Sequence, residues 1–175
     1  GADTFIMSRT ADVINGGAGT NDTLTIAKAA ILGGLNVDLS AADEQILSFN
    51  GSATSGTVTG FENVDASGYT GSFGAQITAI KTGSTITGTG NADQITGGAG
   101  NDTVKGTKAA IVTAGDAITF GAGTDTLEIT DAASVDFSSL SFTGAEAIKV
   151  VSTASATNAY VVNAGQFAAG DVSIT

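Results

Sequence analysis

The chain contains no cysteine, no histidine, no proline and no tryptophan. Without cysteine and histidine there is no thiolate nucleophile, no zinc site of sulfur and imidazole ligands, and no histidine-based triad. No disulfide can brace the fold, so a location outside the cell has to be survived on packing or on a bound ion. Basic residues are scarce as well: 6 Lys and Arg stand against 17 Asp and Glu, a net charge of -11. Duplex nucleic acid and anionic membranes ask for the opposite balance, so the expected partner of this surface is a cation. No apolar run approaches the roughly 18 residues of a membrane span. No basic-then-apolar leader opens the sequence. The chain begins at Gly1 and ends in a strand-like DVSIT, as expected of a piece cut from a longer polypeptide.

Glycine is abundant, at 25 residues, and 42% of the chain is hydrophobic, mostly Ala, Ile and Val. A packed core is therefore within reach, unlike in a charged and apolar-poor disordered chain. Helical signals are weak. Ala27 to Leu35 (AKAAILGGL) and Ala41 to Leu47 (AADEQIL) are short candidates. Elsewhere short Thr-, Val- and Ile-rich runs alternate with Gly, Asn, Asp and Ser, which predicts many short strands and tight turns. Such runs are Thr23 to Ala27, Thr57 to Gly60, Ser84 to Thr87, Ala117 to Phe120 and Thr126 to Thr130.

The sequence repeats itself on two scales. GTGNADQIT and GGAGNDTVK lie head to tail from Gly88, so Asp93 recurs as Asp102 and Ile95 as Val104. Asp3 and Asp12 keep the same step, with Phe5 and Ile14 as their apolar partners. Over a longer period, Thr10 to Ile31 reads closely against Asn91 to Ile111, with one extra residue (Thr20 or Asn21) in the first copy. Gly121 to Ile129 (GAGTDTLEI) is a third echo. Two later segments also recur: NVDLS at Asn36 against SVDFS at Ser134, and TGFENVD at Thr59 against TGAEAIK at Thr143.

A turn such as Gly97–Asp102 joins glycines, which permit close backbone approach, to one carboxylate. Calcium takes six to eight oxygens. One such turn cannot fill that shell, so the chemistry expects a stacked neighbour to supply the rest. The residue two past the aspartate (Leu24, Ile95, Val104 or Leu127) is apolar and is expected in the core.

These blocks resemble the glycine- and aspartate-rich nonapeptide repeats of the RTX family. The resemblance is carried by Gly97, Gly98, Gly100, Asp102 and Val104, then by Gly88, Gly90, Asp93 and Ile95. Gly16, Gly17, Gly19, Asp22 and Leu24 carry it in distorted form. Asp3, Asp12 and Asp125, the last with Gly121 and Gly123, match in part. The resemblance implies an all-β, right-handed parallel β-roll or β-helix with Ca2+ bound at those glycines and aspartates. It further implies a calcium-dependent structural module of a secreted bacterial surface protein, a surface-layer or adhesin segment. The alternative it implies is a calcium-binding region supporting secretion of an enzyme or toxin. Two segments are expected, 1–80 and 81–175, each containing such repeats. Self-association, or contact with neighbouring domains, is expected, and a surface glycan is a further candidate partner. The longest clean run is two repeats, fewer than a regular roll needs to complete its sites.

Other chemistries fit less well. A phosphate loop opens a helix and, in its P-loop form, ends in Gly-Lys-Ser/Thr, whereas GGAG here leads into Asn-Asp and a strand-like run. Paired carboxylates for glycoside cleavage would come from Glu44, Glu62, Glu128 or Glu146. Glu62 and Glu146 occupy matching places of the long repeat, which speaks for a solvated or rung-capping site and against a unique catalytic one. The chain is expected not to be an enzyme.

Overall fold

The computed structural model describes residues 1–9, 11–27, 33–49, 52–53, 55–113, 115–131, 134–151, 159–162, 166 and 173–174. Short strands dominate. The first seven are β1 (Thr4–Met7), β2 (Val13–Asn15), β3 (Thr23–Ile26), β4 (Leu35–Asp38), β5 (Ile46–Phe49), β6 (Ser52–Ala53) and β7 (Thr57–Thr59). Next come β8 (Asn63–Asp65), β9 (Ala75–Thr78), β10 (Thr85–Thr87), β11 (Gln94–Thr96) and β12 (Thr103–Gly106). A π-helical turn, Ala109–Thr113, separates these from β13 (Ala117–Thr119) and β14 (Thr126–Ile129). The chain continues with β15 (Val135–Asp136), β16 (Ser141–Thr143), β17 (Ala147–Val150), β18 (Tyr160–Val161) and β19 (Ser173–Ile174).

The strands are short because glycine, asparagine and aspartate interrupt every apolar run after a few residues, and they alternate in burial with the two-residue period of a pleated strand. One sheet has the order β1-β3-β8-β10-β12-β14-β17-β19 and the other β16-β13-β11-β9-β4-β5-β6. In the first, Leu24, Val64, Ile86, Val104, Leu127 and Ile148 stand in register as a buried column. In the second, Ile77, Ile95, Ile118 and Phe142 do the same. Both columns belong to one hydrophobic core. Leu24, Ile95, Val104 and Leu127, each two past an aspartate, are thus inside as expected, whereas Phe5, two past Asp3, is 37% exposed.

The architecture corrects the expected regular β-roll or parallel β-helix. The eight-stranded sheet is parallel, but the seven-stranded sheet is mixed: β4 pairs antiparallel with β5 across a register shift, and β5 antiparallel with β6. Small parallel pairs, β2 with β7 and β15 with β18, lie outside both large sheets. A roll of tandem nonapeptides would bring together residues a constant 18 apart. Here hydrogen bonds between neighbouring strands join residues 18, 19, 21, 23 and 40 apart. The physical reason is the spacer between Asp38 and Thr57. It is too long to be a rung turn, so it finds its own partners and folds back as β5 and β6. The result is a mostly-β fold built on distant strand pairings, not an open solenoid of tandem RTX repeats.

Gln45 holds that excursion against the core. Its buried amide donates to the carbonyls of Leu39 (2.9 Å) and Phe61 (2.8 Å), and its oxygen accepts the Phe61 N–H (2.9 Å). The helix expected over Ala41 to Leu47 is therefore absent; the segment is irregular until β5 begins. Of the other helical candidate, Ala27 to Leu35, residues 28–32 lie outside the described residues. The five expected strand segments correspond to β3, β7, β10, β13 and β14. Gln45→Leu keeps the volume but strips three buried backbone groups of their partner. Each such orphan costs about 1–3 kcal/mol, so the urea midpoint is expected to fall by an amount corresponding to at least about 2 kcal/mol. An unchanged midpoint would show that Gln45 is no clamp.

Candidate functional site

A polar residue stands immediately before most strands of the eight-stranded sheet: Asp3, Asp22, Glu62, Ser84, Asp102, Asp125 and Glu146. These positions face a common problem. The backbone N–H at the entry to a strand lies inside the stack, away from water, and needs an acceptor. The acceptor is the carboxylate of the next strand in the sheet. Asp3 N–H donates to Asp22 Oδ1 (2.8 Å) and Asp22 N–H to Glu62 Oε2 (2.9 Å). Further along, Ser84 N–H donates to Asp102 Oδ1 (2.7 Å), Asp102 N–H to Asp125 Oδ1 (2.8 Å) and Asp125 N–H to Glu146 Oε2 (2.6 Å). Between these two runs, Thr85 N–H uses the side-chain oxygen of Asn63 (2.7 Å). The seven-stranded sheet has the same device: Ala75 N–H donates to Asp93 Oδ1 (2.6 Å) and Asp93 N–H to Asp116 Oδ1 (2.9 Å). Bonds of this kind, from an N–H to an ionised acceptor, are stronger than neutral ones.

The second oxygen of each carboxylate has a different fate from strand to strand. Asp102 Oδ2 accepts Gly98 N–H (2.7 Å), and Asp93 Oδ2 accepts Thr89 N–H (2.7 Å) from the turn just before it. Asp22 Oδ2, Asp116 Oδ2 and Asp125 Oδ2 are buried with no hydrogen-bond partner. Burial raises the pKa of Asp93, Asp102 and Asp125, against the opposing pull of their N–H donors. Asp116 is pushed up to about 8, first by burial and then by the neighbouring Asp93 charge, against the Asp93 N–H bond that pulls the other way.

The glycines make room for these oxygens and for the stacked turns. A Cβ on Gly121 would collide with the Gly98 carbonyl, and one on Gly98 with the Ile80 carbonyl. The same close approach to the neighbouring backbone holds at Gly16, Gly100 and Gly123. At Gly88, Gly19 and Gly97 a Cβ would instead crowd the second oxygen of Asp93, Asp22 and Asp102. Gly17 has φ +97° and donates to Asn15 Oδ1, while Gly90 faces open space.

The residues singled out from the sequence are thus only partly brought together. Asp3 meets Asp22, and Asp102 meets Asp125. Asp93 and Asp102, adjacent in the repeat, serve different sheets. Asp12 closes a local turn by accepting the N–H groups of Ser8 (2.9 Å) and Arg9 (3.0 Å). Sequence reasoning missed Asp116, although Asp116 and Ile118 repeat the spacing of Asp93 and Ile95. Among the described residues no three acidic, histidine or cysteine side chains converge as a metal group. At each step one carboxylate oxygen is already given to a backbone N–H, and a shell of six to eight oxygens is not assembled. This corrects the expected calcium-dependent surface-layer or adhesin module, and the secretion-supporting calcium region with it. The aspartates do the work of backbone acceptors.

Comparison with protein-family models, with curated proteins and with solved structures finds no match to this chain. The RTX resemblance of the glycine–aspartate blocks is corrected accordingly. The blocks are short, their strand pairing is uneven, and no family model gathers them.

The raised carboxyl groups set the sign of the pH dependence. In the folded chain they hold protons that the unfolded chain has released, so stability falls as pH rises from about 4 toward 8. In metal-free buffer the melting temperature at pH 5.5 is expected to exceed that at pH 8.5 by more than about 3 °C, the shift that ~1 kcal/mol makes in a chain of this size. Asp116→Asn keeps the Oδ1 acceptor and is expected to remove a large part of the difference. A melting temperature that is flat or rises with pH would overturn this account of the ladder.

Proposed function

We propose that the chain is a non-catalytic assembly module that adds a β-strand of a second copy to the open edge of its eight-stranded sheet. The observation that carries this reading is the state of β1. Among the described residues β1 pairs only with β3, and its sequence, Thr-Phe-Ile-Met, has neither the charge nor the proline that usually protects a strand edge. Ile6 is 64% exposed, and Val13 on β2, the next strand in the chain, is 79% exposed. Unpaired parallel edges with apolar neighbours accept strands, their main-chain groups supplying affinity.

Asp3 adds a specific reason. Each carboxylate of the ladder accepts the first N–H of the strand before it, but Asp3, at the head of β1, is exposed and its carboxylate has no hydrogen bond among the described residues. A strand added beside β1 would bring the N–H that Asp3 is placed to accept. The far end of the same sheet is β19, which runs in the same direction. One copy's β19 can extend another's β1 with no change of strand sense. Such a head-to-tail contact does not close on itself and gives linear oligomers.

The non-catalytic part of the reading is supported by what the candidate carboxylates are engaged in. Glu44 accepts N–H groups of Ile46 and Val58, Glu62 that of Asp22, and Glu146 that of Asp125, while Glu128 pairs with Lys149 at 3.2 Å. Sedimentation velocity over a rising concentration series is expected to show growing linear oligomers, equally in calcium and in chelator. Ile6→Lys is expected to leave a folded monomer, and Asp3→Ala to weaken association by roughly tenfold, as for a lost charge-assisted hydrogen bond. A monomer at every concentration, or assembly that needs calcium, would overturn the strand-edge reading.

A further inference from the structure

A groove of about 540 Å³ lies over the outer face of the eight-stranded sheet, its lining including Gly88 and Thr89 of the turn that holds Asp93 but no residue of β1. Its volume is that of a small-molecule site. The floor is an in-register row of Asp65, Thr87, Lys105 and Glu128. One wall is the π-helical turn, where Ala110 is partly exposed and Ile111 lies behind it in the core. The groups in it are not equally available. Asp65 is held by Ser67, whose N–H (3.0 Å) and hydroxyl (2.6 Å) both donate to Oδ1. Glu128 is paired with Lys149. Lys105 is half-buried between Thr87 and Glu128, yet among the described residues it makes no ion pair and no side-chain hydrogen bond. The Thr87 side chain beside it is likewise without a hydrogen bond among the described residues.

The groove therefore offers one uncommitted cation, neighbouring hydroxyls and a small apolar wall. An ammonium on a flexible stem recognises an anionic oxygen as a point charge. Hydroxyl side chains exchange hydrogen bonds with ligand hydroxyls in either direction. A ring with an apolar C–H face suits Ala110. From these observations we infer that the groove binds an acidic sugar, a uronic acid whose carboxylate sits on Lys105 and whose hydroxyls meet Thr87 and the carboxylate of Asp65. The chain's net charge of -11 opposes the approach of any anion, and salt screens that repulsion while leaving the close contact in the groove. Affinity is accordingly modest, with a dissociation constant on the order of 1 mM.

Galacturonic acid, its trimer and neutral galactose would be titrated into the full chain, followed by amide chemical-shift changes. Galacturonic acid is expected to shift Thr87, Lys105 and Ile111, and galactose to leave them unmoved at the same concentrations. If the groove takes a residue within a polymer, the trimer binds more tightly than the monomer; if it takes a free acid, it does not. Lys105→Met is expected to weaken binding by at least about tenfold, the loss for a charge-assisted contact, while Lys105→Arg retains it. Lys81→Met, distant from the groove, serves as the control for net charge. Melting curves of both Lys105 variants would confirm folding. Absence of any uronate-induced shift in the unaltered chain, equal response to galactose, or undiminished binding by folded Lys105→Met would overturn the inference.

Discussion

The fold depends on how the first backbone N–H of each strand is satisfied. Parallel strands stacked over a common core bring their entry points to one edge, where water is excluded. A donor left unmade there costs as much as a lost hydrogen bond. The chain answers with a side-chain acceptor sent from the next strand, and an aspartate one residue ahead of a strand has the right reach for it. The carboxylate is fixed by two neighbours at once, its own backbone and the N–H it accepts. Each strand is thereby registered against the next. A slip of one residue would turn the buried column of Leu24, Val64, Ile86, Val104, Leu127 and Ile148 to the outside.

The choice between aspartate and glutamate follows the turn that precedes it. Asp22, Asp93, Asp102, Asp116 and Asp125 follow glycine-containing turns and are almost wholly buried. Glu62 and Glu146 follow the Thr-Gly turns whose glycines, Gly60 and Gly144, have positive φ. Both glutamates use the same oxygen on the same kind of donor, the N–H of the preceding aspartate. The longer side chain takes over where the entry point is set further from the strand it caps. Carboxylates stacked in this way repel one another, and burial adds to the cost of their charge. Burial outweighs the N–H donors at Asp93, Asp102 and Asp125, whose pKa values are raised, and pushes Asp116 up to about 8.

Much of the local structure was legible in the sequence, and the large-scale arrangement was not. The two-residue alternation and the glycine punctuation located β3, β7, β10, β13 and β14, and Leu24, Ile95, Val104 and Leu127, each two past an aspartate, are in the core, whereas Phe5 is not. The matching of Glu62 with Glu146 pointed to a repeated capping role, which the hydrogen bonds to Asp22 and Asp125 display. What failed was the inference from a repeated turn to a uniform stack. Residues 39 to 56 have the same Ala, Ser and Gly composition as the rung turns, and nothing local announces that they return antiparallel under the hold of Gln45. The metal reading failed for a related reason. Glycine beside aspartate serves equally a cation shell and a backbone acceptor, since both need a carboxylate brought close to other backbone. Only the partner of each oxygen separates the two, and that partner lies 18 to 40 residues away.

The ladder also has a direction, and this bears on the ends of the sheet. Each ladder carboxylate reaches toward a strand earlier in the chain, so the array is polar, and at β1 it presents an acceptor. In the interior the acceptors are consumed by their neighbours, with one break between Glu62 and Ser84, where the Glu62 N–H turns to the Asp22 carbonyl. At β1 the acceptor, Asp3, stands exposed beside the apolar side chains of Phe5 and Ile6, a combination that a solvated edge has no use for. A lone aspartate on a strand edge would be read as protection against pairing. Placed one residue ahead of the strand, where its equivalents each accept an N–H, it becomes the next step of the same ladder. Under the proposed strand addition, the rule that registers strands inside the chain would also select the added strand: parallel, in the same sense, with a free N–H at its entry.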